Sequence, residues 1–298
     1  MLRGTTGRAL IAARVRAGEW ERPLRGTYVP ALDDGDPHAA DRLRALARIA
    51  GLARRSRAPI VFSHVSAALM WGLPLWRTPT VPHVLQRAAG GGARDRAVAR
   101  HVGRLDESDV VEIAGVRVTS LARTTLDCVA TLPPLEGMVV ADAAFAAGAD
   151  PELLADRAAK ARGARNIGRV RAVLALADEG AESPGESASR FVALRAGLPV
   201  PTTQIRVRTH LGEVWSDWGW PEFRVLVEYD GRVKYGDQSA LMAEKRRHDA
   251  LVETGHRVAR VVMEDLGGSR LPDRLLSLLP SSLTLAPRPE LGWRPPTW

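Results

Sequence analysis

The sequence predicts an α/β protein, and three observations carry that prediction. Short apolar segments rich in Val, Ile and aromatic residues alternate with Ala/Leu/Arg stretches of helical length. From Glu186 onward the segments read α-β-β-β-α-β. At 298 residues, with 45% hydrophobic and 26% charged, the chain has an ordinary globular composition and enough length for two domains and a small third. Shifts in pattern divide it into a helix–turn–strand unit over 1–35, an α/β middle region over 36–178, a second α/β domain over 179–275 and a Pro-rich tail over 276–298.

Each element has a local reason. Residues 8–17 form a compact helical pattern closed by Gly18, a residue suited to the left-handed position after a helix. Residues 19–29 read as two short strands, with Arg25-Gly26 fitting the turn of a small wing-like hairpin. A loop at Asp33-Asp-Gly-Asp-Pro precedes an Ala/Leu/Arg helix over 38–57, which ends in Arg54, Arg55 and Arg57. Residues 60–63 are a short apolar strand, and Ser63 or Ser66 begins a helix over 64–71. The run Ala89-Gly-Gly-Gly-Ala is a turn, residues 110–120 are strand-like, and helices follow over 121–131, 136–147, 151–161 and 166–178. Glu179-Gly-Ala-Glu-Ser-Pro-Gly marks the main boundary. Ser183 is a natural N-cap, with Pro184 at the first helical position and Glu186 at the third. That helix stops at Gly197. After it come a strand over 204–208, an acidic hairpin, a helix over 239–254 closed by Gly255, and a strand over 257–263.

The hairpin, residues 213–231, carries the chemistry. A turn centred between Glu222 and Phe223 sets Asp217 opposite Glu228, and strand alternation places Leu226, Glu228 and Asp230 on one face. Cross-strand neighbours lie ~5 Å apart, so three carboxylates crowd one patch and resist ionising together. A divalent cation removes the conflict, and Mg²⁺ takes a few carboxylate oxygens with water completing its shell. The competing reading is a solvated face with Asp230-Gly231 as a turn. Trp218, Trp220 and Val225-Leu-Val argue instead for buried strands, where acids need partners. Glu186 is explained by the helix cap alone, and the cap is compatible with a place in the site.

Charge is localised. Residues 1–100 hold 17 arginines, no lysine and 7 acids, so the net +8 of the chain comes from its first third. Arg8, Arg14, Arg16, Arg22 and Arg25 are candidate phosphate contacts there. An Arg- and Ala-rich bias with only three lysines gives a plainer account of the same count. The single cysteine, Cys128, excludes a disulfide framework and reads as a core thiol. The seven histidines show no HxxxH or HExxH spacing, which argues against a zinc hydrolase, and no phosphate-binding glycine loop is present. No apolar run nears the ~20 residues of a membrane span, so a cytoplasmic protein without membrane contact is expected.

Residues 180–270 resemble the PD-(D/E)XK nuclease superfamily, in particular its branch related to very-short-patch-repair endonucleases. The match is carried by Ser183-Pro-Gly-Glu186-Ser, Ser216-Asp217-Trp-Gly-Trp-Pro-Glu222, Val227-Glu228-Tyr-Asp230-Gly and Glu244-Lys-Arg-Arg-His-Asp249, followed by Arg257-Val-Ala-Arg-Val. The resemblance implies a restriction-endonuclease-like α/β/α domain. It makes Asp217 and Glu228 the ligands of Mg²⁺ or Mn²⁺, with Glu186 as the acid of the first helix. Asp230 stands where the superfamily has its lysine, so Lys234 or Lys245 must substitute for it. Arg246 and Arg247 on the following helix are expected to meet DNA phosphates, the alternative being a surface helix with a Lys245–Asp249 pair.

Residues 1–130 are similar, through residues 8–29 and Val61-Phe-Ser-His-Val-Ser-Ala-Ala-Leu-Met-Trp-Gly-Leu, to the winged-helix and following domains of AbiEi-type antitoxins of type IV toxin–antitoxin systems. The expected function is therefore metal-dependent endonucleolytic hydrolysis of DNA. The alternative is a DNA-binding regulator or antitoxin with a cognate toxin, its nuclease fold catalytically weak.

Overall fold

The computed structural model describes residues 5–31, 37–56, 58–87, 96–231 and 238–292; Lys234 lies outside them. The described chain is an α/β protein that divides into two compact units, 1–127 and 128–298.

In the first unit, α1 (Thr5–Arg16) ends ahead of Gly18, whose φ of 73° is the left-handed turn that a side chain would resist. β1 (Trp20–Leu24) and β2 (Thr27–Pro30) pair antiparallel about Arg25-Gly26, as the turn chemistry predicts. α2 (Pro37–Arg55) is tied to this hairpin by Arg44, whose Nη2 donates to Glu21 at 2.7 Å, and by Arg48, whose Nε donates to the Pro23 carbonyl at 3.2 Å.

Beyond α2 come β3 (Val61–Phe62), α3 (His64–Met70), β4 (His83–Gln86), β5 (Ala99–Val102), β6 (Val110–Ile113), β7 (Val116–Thr119) and α4 (Leu121–Thr131). The strands form one mixed sheet in the order β5-β4-β3-β7-β6. Phe62, Val84 and Val118 cluster with Ile49 of α2 and Leu69 of α3 to form the core. β4 and β5 have no counterpart in the sequence expectation.

In the second unit, α5 (Pro134–Ala146), α6 (Pro151–Lys160) and α7 (Ile167–Leu176) precede α8 (Pro184–Arg195). Then follow β8 (Thr202–Thr209), β9 (Gly212–Trp220), β10 (Val225–Tyr229), α9 (Gln238–Glu253), β11 (Arg257–Val261) and α10 (Arg270–Ser277). The expected α-β-β-β-α-β order is therefore present. The sheet runs β8-β9-β10-β11, antiparallel except for β11, which lies parallel to β10 as a helical crossover through α9 requires.

The two units divide at 127/128, and the change of pattern near residue 179 lies inside the second. The cause is the packing of α5 on α8. Arg190 Nη2 lies 2.7 Å from Asp142 Oδ1, both side chains are fully buried, and Asp142 also accepts the Asp178 backbone N–H at 2.9 Å. Helices assigned from sequence to a middle region thus share a core with the C-terminal sheet. The tail joins the same unit as far as residue 292, since Ala286 N–H donates to the Gly197 carbonyl at 3.0 Å and Arg288 Nη1 to that of Leu198 at 3.0 Å. No helix among the described residues is long and apolar enough to cross a membrane.

Candidate functional site

The hairpin forms as its turn chemistry predicts. Pro221–Phe223 make a single 3₁₀ turn, Arg224 closes it in the left-handed region at φ 52°, and the Arg224 N–H returns to the Pro221 carbonyl at 3.0 Å. Val225 then pairs with Trp220, Leu226 with Gly219 and Val227 with Trp218. The next step of that register sets Glu228 beside Asp217, and the Tyr229 backbone N–H donates to Asp217 Oδ2 at 2.7 Å.

Helices hold the hairpin from both sides. Trp218 Nε1 donates to Ser189 Oγ of α8 at 3.0 Å, and Tyr229 lies against Gly185 of the same helix. Leu226 packs in a cluster with Leu251 of α9.

Three acids meet here. Glu228 has only 7% of its side chain exposed, whereas Asp217 and Glu186 are half-buried. Burial pushes the Glu228 carboxyl above its ordinary range; Arg247 opposes the rise, and the nearby charges of Asp217 and Glu244 add to it. Asp217 is also raised, first by burial and then by Glu182 and Glu244, against the pull of the Tyr229 N–H and Arg247. Glu186 is raised by burial and by the charge of Asp217. It serves the helix cap as well: Ser183 Oγ accepts the Glu186 N–H at 3.2 Å, while Glu186 Oε2 accepts the N–H of Glu182 at 2.9 Å. Cap and site thus coincide in one residue.

Asp230 does not complete a trio. β10 ends at Tyr229, so strand alternation no longer fixes the direction of the next side chain, and the Asp230 N–H pairs with the Val261 carbonyl at 2.8 Å. No group of three or more Asp, Glu, His or Cys among the described residues is placed to hold a metal ion. Asp217 and Glu228 alone still fit a Mg²⁺-type ion, which is bound through one or two carboxylates plus water. Of the two buried Glu228 oxygens, Oε1 has the Arg247 guanidinium at 2.8 Å, off hydrogen-bond geometry, and Oε2 has no hydrogen-bond partner among the described residues.

Lys245 and Arg246 are exposed on α9, and Lys234 lies outside the described residues. Arg247, expected at DNA phosphates, turns towards the sheet instead. Its Nη2 lies 2.8 Å from Glu228 Oε1, and the same nitrogen donates to the Trp215 carbonyl. Glu244 extends the network, with Arg260 Nη2 at 2.6 Å and Arg247 Nη1 at 3.7 Å. Sequence reasoning did not place Glu244, Arg260 or Glu182 at the site. Glu244 and Arg247 sit three apart on one helix, and that spacing was the available signal.

In the first unit Arg8, Arg14, Arg16, Arg22 and Arg25 are all exposed. Arg14 lies 3.8 Å from Glu19 and over the Trp20 ring, and Arg22 lies over the Tyr28 ring.

No family model matches the chain. Two proteins of Mycobacterium tuberculosis, each named only as an uncharacterized protein (Rv2248 in strain H37Rv, MT2308 in strain CDC 1551), are 34% identical to it over 129 residues. That is 43% of this chain and 47% of theirs, so the chain spans about half the length of the curated relatives it matches. A crystal structure of the RV2827C protein from the same organism aligns over 61% of this chain and 68% of that one, at 17% identity and a TM-score of 0.31. A likeness that weak carries no argument about fold or function.

Proposed function

We propose that the C-terminal unit is a divalent-cation-dependent endonuclease acting on DNA. One observation carries the reading. Asp217 and Glu228 stand side by side on β9 and β10, desolvated and held above their ordinary pKa, and Glu228 Oε2 is buried without a hydrogen-bond partner among the described residues.

In this reading Asp217 and Glu228 hold Mg²⁺ or Mn²⁺, which supplies Lewis-acid polarisation of a phosphodiester and a nucleophilic water. The remaining work belongs to the chain. The Tyr229 N–H fixes the Asp217 carboxylate, Glu186 lends a second negative charge from α8, and exposed Lys245 and Arg246 meet the phosphate backbone. The exposed arginines of the first unit supply sequence-independent affinity, and binding should weaken steeply with salt.

A second reading is favoured by Arg247. Its guanidinium already offsets the charge of Glu228, as a resident cation would, and this suits a DNA-binding regulator or antitoxin whose nuclease-like unit does not cut. Plasmid cleavage with Mg²⁺ or Mn²⁺, run beside a gel-shift assay on the same preparations, separates the two. The endonuclease reading expects cutting by the wild type that is lost in Asp217→Ala and Glu228→Ala. Retarded DNA without cutting in all three proteins leaves the regulator.

A further inference from the structure

Three of the seven histidines, far apart in sequence, meet in the N-terminal unit. His64 opens α3, His83 opens β4 and His101 lies on β5. The rings of His64 and His101 stack with centroids 3.5 Å apart, and those of His83 and His101 are separated by 5.1 Å. Nδ1 of His83 faces Nε2 of His101 at 3.0 Å. Sheet pairing explains the encounter. β4 and β5 run parallel, with His83 beside Ala99 and Leu85 beside His101, and β3, which leads into His64, pairs antiparallel with β4.

The surroundings single the cluster out. The rings are shielded from solvent, His64 being buried and His83 and His101 half-buried. His64 adopts φ 53°, a conformation that a non-glycine residue keeps only where its neighbours impose it. Its Nδ1 lies 2.9 Å from Ser63 Oγ and 4.0 Å from Asp127 Oδ2. Arg123 in turn fixes Asp127 at 2.9 Å and Asp109 at 2.8 Å. An imidazole that ligates a metal through one nitrogen is commonly oriented in this way through the other.

We propose that His64, His83 and His101 form a binding site for a first-row transition metal ion of the zinc class, with Ser63 orienting His64. His64 ligates through Nε2, His83 through Nδ1 and His101 through Nε2. Imidazole nitrogens select Zn²⁺, Ni²⁺ or Cu²⁺ over Mg²⁺, which separates this site from the acidic hairpin. Three histidines leave a fourth tetrahedral position for water or a substrate. The 3.0 Å between His83 and His101 is somewhat shorter than the ~3.4 Å edge expected between two nitrogens each ~2.1 Å from a tetrahedral ion. The nitrogens do not yet converge among the described residues, so His64 must rotate off its stack on His101 to deliver the third ligand. His83 and His101 are half-buried and leave a route from solvent.

The test uses the full chain, made without a histidine tag, stripped with a chelator and titrated with Co²⁺. The expected result is the visible absorption of four-coordinate Co²⁺ saturating at about one equivalent and displaced by Zn²⁺. Zn²⁺ should also raise the melting temperature of the wild type. Ser63→Ala should weaken binding ~10–100-fold, as loss of an outer partner does, and His83→Ala with His101→Ala should remove it, whereas Asp217→Ala leaves it unchanged. Absence of both the Co²⁺ absorption and the Zn²⁺-dependent melting shift in wild-type protein overturns the proposal, whether or not the variants fold. So does binding that survives loss of both His83 and His101.

Discussion

Arg247 Nη2 lies 2.8 Å from Oε1 of Glu228, an acid with 7% of its side chain exposed. Removing Arg247 leaves Glu228 to be buried uncompensated. Breaking a fully buried ion pair costs ~3–5 kcal/mol, and with Arg247 34% exposed solvent screening lowers the expectation for Arg247→Leu to ~1–2 kcal/mol. Adding Glu228→Gln should restore most of that loss. Urea denaturation of the two variants near neutral pH measures it, and a double variant no more stable than the single one contradicts the account.

The same acids predict a pH dependence for metal-free protein. Glu186, Asp217 and Glu228 all have native pKa values above their ordinary ones, 4.5 for Glu and 3.8 for Asp. The folded state therefore binds their protons more tightly than the unfolded state does. Their contribution to stability falls as pH rises from those ordinary values through the raised native ones. Glu228→Gln should flatten this part of the profile and raise stability near neutral pH. Mg²⁺ binding, which needs ionised acids, should weaken on acidification. Unfolding free energies measured across the window in chelator give the check; superimposable wild-type and Glu228→Gln profiles would rule it out.

Much of the hairpin was legible because register, turn and alternation are local. Pro221 to Arg224 fixed the turn, and the turn fixed Asp217 opposite Glu228. The place expected for Asp230 rested on alternation carried one residue beyond the end of β10. The pairing of Arg247 with Glu228 was not legible because a basic residue on a helix does not announce which face it presents.

That the helices before residue 178 pack with the C-terminal sheet was not legible, because the pairing of Asp142 with Arg190, 48 residues apart, has no local signature. The histidine cluster was hidden for the same reason. His83 and His101 sit on four-residue strands that carry little pattern, and metal-ligand spacing along the sequence is informative only when the ligands share an element.

Asp142 and Arg190, both fully buried, give the next prediction. Arg190 also donates through Nη1 to the Leu176 carbonyl at 2.8 Å, so its loss frees an acceptor as well as an acid. Arg190→Met should destabilise the chain by ~3–5 kcal/mol, and Asp142→Leu added to it should recover a large part, since an apolar pair replaces an ionic one at little net cost. Chemical denaturation followed through tryptophan fluorescence reports this, because Trp218 and Trp220 are buried in the same unit. A recovery of nothing would mean that the pair is needed for more than mutual neutralisation.

Gly185 offers the last test, because it links α8 to the acids through Tyr229. A Cβ on Gly185 would overlap Cε1, Cδ1 and Cζ of the Tyr229 ring, so Gly185→Ala must displace either the ring or the helix. Overpacking of this kind costs ~1–3 kcal/mol. The cost should reach function as well, since the Tyr229 N–H anchors Asp217 Oδ2 at 2.7 Å. Gly185→Ala should therefore reduce Mg²⁺ affinity together with stability. Gly185→Ala with Tyr229→Leu, which makes room for the new methyl group, should recover both. Calorimetric Mg²⁺ titration and thermal unfolding of the two variants separate the effects. If Gly185→Ala alone matches the wild type in both, the ring turns aside freely and the helix does not position the acids.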